Sequence, residues 1–296
     1  RVGPIGLDFS LTAIRRLFRE SASVGLSQIV WAANQYLPTI LVAVLANAVE
    51  LSWFGASQRI VFSVVAFSAV YHFNLFPSLS RNLAESRPAF DAIVRASFRA
   101  ISWLGILGSL AGALFADVLC RVVFGETFAA AAAPLAVLVW AIPVTLLSGH
   151  ARITLIAGGE QRFVLVSQLA GVATTLVVGL ATIPRYGATA AAATTLTSYL
   201  AVWVVAHVFA VRRLVPLPLF GVVRPVAVAG AVFALREHYA SSSIIAGVAA
   251  LVGYVVVGPL LDRRFLADLR QLGAVRRSAN PAPLARENSG VSPLGD

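Results

Sequence analysis

Charge is scarce in this chain of 296 residues, since only 12% of them are charged, where about 25% is usual for soluble domains. Apolar residues make up 58% of the chain and the mean hydropathy is +0.83, which excludes an ordinary soluble enzyme and a disordered chain. The single cysteine, Cys120, allows neither an intramolecular disulfide nor a cysteine metal cluster. What remains is a helical membrane protein that is held together by helix packing in lipid.

Methionine and lysine are absent, and all 23 basic residues are arginines. The chain begins at Arg1 without the charged, apolar and small-residue pattern of a signal peptide, so we expect the natural N-terminus to lie elsewhere. A net charge of +10 would suit a nucleic-acid partner only if the arginines clustered on one soluble face. They lie between apolar runs instead, so we expect no nucleic-acid partner and interpret the arginines as markers of membrane topology.

Eight apolar runs approach the length of about 20 residues that a helix needs to cross a bilayer. They lie at about 23–46, 52–78, 98–120, 132–157, 163–184, 188–211, 222–240 and 243–261. With a cytoplasmic N-terminus, only Arg121, Arg185 and Arg236 fall on the outer side. Cytoplasmic loops carry the excess of positive charge, so both termini are predicted to be cytoplasmic. The sequence therefore predicts an all-α, polytopic transmembrane helical bundle of about eight spans.

The chain divides into four predicted parts. Residues 1–21 form a cytoplasmic amphipathic lead-in, which is either an interfacial helix or a basic flank of the first span. Residues 22–213 form a six-helix lobe, and residues 214–262 add two transmembrane helices. Residues 263–296 form a cytoplasmic tail that is rich in Pro, Ser and Gly toward its end, and we expect it to be largely disordered.

The sequence contains no recognisable catalytic constellation. Nearly all acidic residues lie in predicted loops or at span ends, the four histidines lie in four different segments, and no phosphate-binding glycine loop precedes a helix. We therefore expect a protein that is not an enzyme, with no catalytic residues, no metal and no cofactor.

Polar side chains inside the first span form one candidate site, because polar groups in lipid are costly and usually face a cavity or another helix. Gln28, Trp31 and Gln35 follow a helical spacing, and Asn34 lies beside them. Pro38 interrupts the same helix. Two interpretations stay open: the side chains either join helices by hydrogen bonds or form a stripe that contacts a substrate.

Arg59 is the only arginine predicted to lie within a span. Because no carboxylate lies mid-span, its partner is either Glu50 at the outer end of the helix, a group on a second lobe, or an anionic substrate that suits the planar guanidinium. The predicted substrate-binding residues are therefore Arg59, Gln28, Gln35, Asn34 and Trp31.

Polar residues in the later spans are interpreted as structural. Gln168 in the fifth span is expected to pack between helices. His150 and Arg152, which close the fourth span, and His207, late in the sixth, are expected to lie at the membrane interface.

Several short motifs occur in a characteristic order. Val-Gly-Leu-Ser lies at 24–27, Phe-Pro-Ser-Leu-Ser-Arg at 76–81, Val-Phe-Gly-Glu-Thr-Phe at 123–128 and Ile-Pro-Arg-Tyr-Gly-Ala at 183–188. Together they resemble the bacterial polysaccharide flippases over about residues 10–215. These are lipid-linked oligosaccharide transporters of the multidrug/oligosaccharidyl-lipid/polysaccharide exporter superfamily.

The resemblance implies two six-helix lobes around a central cavity. This chain would be the C-terminal portion, the second lobe with two peripheral helices, and the first lobe would be absent, which agrees with the missing methionine. The implied function is to flip an undecaprenyl-diphosphate-linked oligosaccharide across the bacterial inner (cytoplasmic) membrane for lipopolysaccharide or exopolysaccharide biosynthesis. The implied partners are this lipid-linked oligosaccharide, the lipid bilayer, and the glycan polymerase and glycosyltransferases of the pathway.

Two other functions remain in competition. A multidrug-type exporter of small amphipathic molecules belongs to the same superfamily, but Arg59 and the lack of buried acids argue against a cationic substrate. A non-transporting membrane enzyme of the same glycan pathway, a polymerase or ligase, would be expected to carry a substantial outer loop, and the outer connections here are short.

Overall fold

The computed structural model of the chain describes residues 10–217, 219–239, 244–262, 264–265 and 267–268. These residues form an all-α helical bundle, as the composition predicts. The helices are α1 (Leu11–Leu45), α2 (Ala48–Glu85), α3 (Arg87–Leu114), α4 (Ala116–Phe124), α5 (Ala132–Leu138), α6 (Ala141–Ala157), α7 (Gln161–Arg213), α8 (Phe220–Tyr239) and α9 (Ile244–Leu261), with a 3₁₀ helix at Glu126–Ala131.

Within this described part, five stretches are long and apolar enough to cross a membrane. They are Gln28–Leu45 of α1, the whole of α2 and α3, the segment Glu126–Ala157, and α7. The chain therefore has the helices of a membrane-embedded protein.

Helix α7 consists of two antiparallel halves that meet at Gly187. This residue has φ 53° and ψ −132°, a backbone conformation that favours glycine. The hydroxyl of Ser198 donates to the carbonyl of Gly171 at 2.9 Å, and the rings of Phe163 and Phe209 stack with centroids 4.0 Å apart. The predicted fifth and sixth helices are therefore both present, and they lie side by side.

The fourth predicted span consists of two helices, α5 and α6, instead of one. Pro143 has no N–H to donate to the carbonyl of Val139, so the regular helical pattern fails at this point. That carbonyl instead accepts from the hydroxyl of Ser109 at 2.7 Å and from the backbone N–H of Ile142 at 3.0 Å. The break is therefore stabilised by a neighbouring helix.

Helix bounds differ from the prediction in two further places. Helix α1 runs without interruption from Leu11 to Leu45, so the lead-in and the first span form one helix. The third span begins earlier than predicted, at Arg87, with Pro88 in its first turn. It ends before Phe115, whose φ of −114° and ψ of 19° separate α3 from α4.

The centre of the bundle is formed by α3 and the segment Glu126–Ala157, whose most apolar windows are 61% and 56% buried. The corresponding values are 28%, 22% and 33% for α1, α2 and α7. These outer helices expose large apolar side chains such as Phe67, Phe73 and Val177, as helices that face lipid or another lobe do.

Helices α8 and α9 pack on α3 and on each other. Trp103 and Leu110 of α3 form a buried cluster with Val228 of α8 and Tyr254 of α9. The hydroxyl of Tyr254 donates to the carbonyl of Trp103 at 3.1 Å. Residues 269–296, where disorder is predicted, lie outside the described residues.

Candidate functional site

A cavity of about 310 Å³ lies between α1, α2, α6 and the two halves of α7. Ligand pockets begin at about this size. Its polar lining is Trp31, Asn34, Gln35, Ser68, His72, Thr145, Ser148, Arg152, Gln168 and Tyr199. The lining therefore offers aromatic, amide, hydroxyl and guanidinium groups, and none of the described residues that line the cavity is an aspartate or glutamate.

Asn34 joins α1 to both halves of α7, and only 2% of it is exposed. Its amide nitrogen donates to the carbonyl of Gln168 at 2.9 Å and to the side-chain oxygen of the same residue at 3.0 Å. Its side-chain oxygen accepts from the hydroxyl of Ser198 at 3.3 Å. The hydrogen-bonding groups of Asn34 are thus used between helices, which agrees with the first of the two interpretations of this stripe.

Gln35 connects α1 to α2 and to the second half of α7. The hydroxyl of Tyr199 donates to its side-chain oxygen, and the side chain of Gln58 donates to its backbone carbonyl at 3.4 Å. Gln58 in turn accepts from the hydroxyl of Thr39 at 3.0 Å. The side-chain nitrogen of Gln35 has no partner among the described residues, so its two N–H donors remain for a ligand in the cavity.

His72 lies on the α2 side of the cavity against α6. Its Nε2 lies 3.1 Å from the carbonyl of Leu146, and its ring packs on Gly149, where an added Cβ would lie 2.3 Å from the ring. Because only a glycine leaves room for the imidazole, the contact fixes the distance between α2 and α6.

Arg152 belongs to the part of the cavity wall that α6 forms, together with Thr145 and Ser148. No carboxylate of the described residues lies within ion-pair distance of Arg152. The hydroxyl oxygens of Thr145 and Ser148 are buried and have no hydrogen-bond partner. Buried polar groups are normally satisfied, so these two oxygens are exceptions within the described bundle, and neither is accessible to a molecule in the cavity.

The predicted site residues are only partly brought together. Trp31, Asn34 and Gln35 line the cavity, whereas Gln28 and Arg59 do not. Both of these are exposed on the same helical stripes as lining residues: Gln28 lies one turn before Trp31, and Arg59 lies one turn before Phe62. They therefore lie beside the cavity, each on a helix that forms one of its walls.

Glu50 is not the partner of Arg59. Its carboxylate accepts from the backbone N–H of Ala188 at 2.7 Å. Among the residues that the structure describes, no carboxylate lies within ion-pair distance of Arg59.

Two of the three residues that were expected at the membrane interface lie inside the bundle. His150 is fully buried, with its Nε2 2.7 Å from the hydroxyl of Ser97. His207 is 6% exposed and stacks on Phe98 with ring centroids 5.5 Å apart. Neither imidazole reaches the surface of the bundle, so the interfacial interpretation is wrong for the two histidines, whereas Arg152 lines the cavity and its interfacial position stays a prediction. Hydropathy places a residue near the end of a span but does not show which way its side chain points.

Three lining residues, His72, Arg152 and Tyr199, were not predicted as site residues from the sequence. They lie on α2, α6 and α7, and no spacing within one helix relates them. The ring of His72 packs on Gly149. This glycine was the one sequence signal for the contact, because small residues in membrane spans mark places where two helices pack closely.

Within the described residues, no group of three His, Cys, Asp or Glu side chains is placed to hold a metal ion. Neither a protein-family model nor a curated protein sequence matches this chain. The residues and geometry of the cavity are therefore the main indication of what this chain does.

Proposed function

We propose that this chain is the second lobe of a transporter that flips an undecaprenyl-diphosphate-linked oligosaccharide across the bacterial cytoplasmic membrane. The observation that carries the proposal is the cavity between α1, α2, α6 and α7. It combines aromatic side chains with amide, hydroxyl and guanidinium groups, and within the described part of the chain no carboxylate lines it. The order of the motifs over about residues 10–215 supports the same family.

The polar groups of the cavity suit a sugar. Trp31 and Tyr199 supply aromatic surface, and the side-chain nitrogen of Gln35 supplies hydrogen-bond donors. Sugar hydroxyls both donate and accept, so they satisfy amide and hydroxyl groups alike.

The charge of the cavity suits an anionic substrate. Arg152 carries a guanidinium without a carboxylate partner among the described residues, and a guanidinium binds phosphate oxygens in a bidentate manner. A small amphipathic cation would meet Arg152 and no opposing carboxylate. This charge pattern favours the flippase over the multidrug-type exporter.

Polar side chains on the exposed faces of α1 and α2 favour a second lobe opposite these helices. Gln28 and Trp31 of α1 and Arg59 and Ser63 of α2 are exposed on these membrane-crossing helices. Polar side chains in membrane spans usually face a cavity or another helix. With such a lobe opposite, rocking of the two lobes would give alternating access, while the lipid tail remains in the bilayer. Both termini of this chain would be cytoplasmic.

The proposal is tested by substrate binding to the purified full chain in phosphatidylcholine nanodiscs. The probes are an undecaprenyl-diphosphate-linked oligosaccharide, undecaprenyl phosphate without sugar, and the cationic dye ethidium. We expect the oligosaccharide lipid to bind, undecaprenyl phosphate to bind at least about tenfold more weakly, and ethidium not to bind.

The matched variants are Arg152→Gln in the cavity and Arg162→Gln at the start of α7, where 69% of the arginine side chain is exposed. Only the first is expected to weaken binding of the oligosaccharide lipid, by about tenfold. If ethidium bound to the chain and Trp31→Ala abolished that binding, the result would contradict the proposal and favour a multidrug-type exporter.

A further inference from the structure

A second pocket, of about 530 Å³, lies between α3, α8 and α9. Its charged lining consists of Arg95, Arg99, Arg224, Arg264 and Asp262. Its apolar lining includes Phe98 from α3 and Leu260 and Leu261 from α9. It is thus separate from the cavity of the six-helix lobe, and four arginines converge on it from three helical segments.

The four arginines differ in how far their charge is compensated. Arg99 is 3.3 Å from a carboxylate oxygen of Asp262 and 3.2 Å from one of Asp268. Arg95 lies 3.9 Å from Asp91, which also pairs with a further arginine, Arg87, at 3.3 Å.

Arg224 and Arg264 are exposed, and no carboxylate of the described residues lies within ion-pair distance of either. Arg264 still interacts electrostatically with Asp268 without an ion-pair contact. The pocket therefore has two guanidinium groups that no ion pair with a described carboxylate holds, and that of Arg224 is the less compensated one.

The first turn of α8 adds a partial positive charge from its backbone to the pocket. Gly221 lines the pocket one residue after the start of the helix, and helix N-termini carry a partial positive charge. Phe98 lies against this turn, since a Cβ at Gly221 would be 3.1 Å from the ring. This close contact holds the N-terminus of α8 beside the arginines of the pocket. The partial charge of the helix end and the charges of the guanidinium groups are both positive.

We propose that this pocket binds a phosphate group. Guanidinium groups and a helix N-terminus are the features that bind phosphate in proteins. The surroundings point to the headgroup of an anionic phospholipid: Leu260 and Leu261 are 71% and 57% exposed next to Arg264, and they offer apolar surface to acyl chains. The pocket lies at the start of α8 and the end of α9, the predicted cytoplasmic side, where basic pockets between membrane helices bind such headgroups.

The site is tested with the full chain in a non-ionic detergent, with no lipid-linked oligosaccharide present. The chain is titrated with dioleoyl phosphatidylglycerol or dioleoyl phosphatidylcholine, and bound lipids are counted by native mass spectrometry. We expect phosphatidylglycerol to bind at least about tenfold more tightly than phosphatidylcholine, which has the same acyl chains. Inorganic phosphate at the same concentration is added as a competitor in a third arm.

The double variant Arg224→Gln/Arg264→Gln is expected to weaken phosphatidylglycerol binding at least about tenfold. The matched control Arg81→Gln/Arg212→Gln removes two exposed arginines from the same predicted side, outside the pocket, and should stay within about twofold of the unaltered chain. The variant Arg224→Lys/Arg264→Lys should retain part of the binding, because it keeps the charge but loses the bidentate geometry.

Displacement of the lipid by inorganic phosphate would support the phosphate site and identify a soluble ligand as its natural source. Resistance to that competition would support the phospholipid headgroup. Equal weakening in the pocket variant and in the control would overturn the proposal, since binding would then follow overall charge. Absence of any binding of phosphatidylglycerol or phosphate would overturn it as well.

Discussion

The carboxylate of Glu50, in the first turn of α2, accepts a hydrogen bond from the backbone N–H of Ala188 at 2.7 Å. Ala188 follows the reversal at Gly187 and begins the second half of α7. Glu50 therefore satisfies a free N–H at a helix start and places a negative charge at its positive end. The hydrogen bond links the start of α2 to the start of the second half of α7, and the two residues lie 138 positions apart in the chain.

Replacement of Glu50 by alanine is expected to lower the free energy of unfolding by about 1 kcal/mol, the usual cost of removing a helix cap. Glu50→Gln should cost less, because an amide oxygen still accepts the hydrogen bond. The measurement is thermal unfolding of the purified chain in detergent. Glu85→Ala, at the exposed C-terminal end of α2, is the control, and an equal loss of stability there would contradict the capping role.

Gly187 tolerates no side chain at the reversal of α7. Its φ is 53°, and a Cβ would lie 2.3 Å from a carboxylate oxygen of Glu50. We expect Gly187→Ala to destabilise the chain by about 1–3 kcal/mol, because a non-glycine residue is strained in this conformation. Gly230→Ala in α8, where a Cβ would meet no atom within 4 Å, should instead be neutral or stabilising. Equal Tm values for the two variants would contradict this account.

The helices and the reversal at Gly187 are predictable from local signals. Long apolar runs form helices in lipid because every backbone group must be satisfied within the segment. Asn47, which caps α2, and Gly187 are residue types that favour helix starts and reversals. The separation of α5 from α6 was not predicted, because the free carbonyl of Val139 is satisfied by Ser109 of another helix.

The cavity is less predictable than the helices around it. Helical spacing identified Trp31, Asn34 and Gln35 as neighbours, and all three line the cavity. It did not show that Asn34 bonds to Gln168, or that Arg152 faces the same space from α6. Those relations depend on how helices far apart in sequence pack, and a spacing within one helix carries no information about them.

Asn34 is expected to act mainly through stability. Asn34→Ala removes hydrogen bonds to Gln168 and Ser198 in the bundle interior. A double-mutant cycle with Gln168→Ala should give a coupling energy of about 0.6 kcal/mol, the average for such pairs in membranes, and no more than about 1.7. Asn74→Ala is the control, because that exposed amide bonds only to the carbonyl of Val70 in its own helix. Zero coupling would contradict the side-chain hydrogen bond between Asn34 and Gln168, and an Asn34→Ala variant as stable as Asn74→Ala would contradict the interhelical role.

The predicted topology is tested by cysteine labelling in a Cys120→Ser background; Cys120 is itself fully buried. Arg185→Cys lies at the reversal of α7 and Glu85→Cys at the end of α2, and both positions are exposed. A membrane-impermeant maleimide should label position 185 in intact cells and position 85 only after lysis, because cytoplasmic loops carry the excess of arginine. The reverse pattern would invert the predicted orientation.

Arg59 is expected to be essential for transport but not for insertion. Its side chain is exposed, one helical turn before Phe62, which lines the cavity. No carboxylate of the described residues pairs with Arg59. A guanidinium within a span costs at least about 2.5 kcal/mol on insertion scales unless another group compensates it. The substrate diphosphate or a group on a second lobe would supply that compensation. Flipping by a two-lobe transporter that contains this chain is the measurement.

Arg59→Ala should reduce flipping at least about tenfold, whereas Arg59→Lys should retain part of the activity because a point charge replaces a bidentate donor. Glu50→Gln is the informative control, since the carboxylate of Glu50 bonds to the backbone of Ala188 and not to Arg59. That variant should still flip substrate while losing some stability. If Arg59→Ala transported normally, or if Glu50→Gln alone reproduced its defect, a role of Arg59 in substrate contact would be wrong.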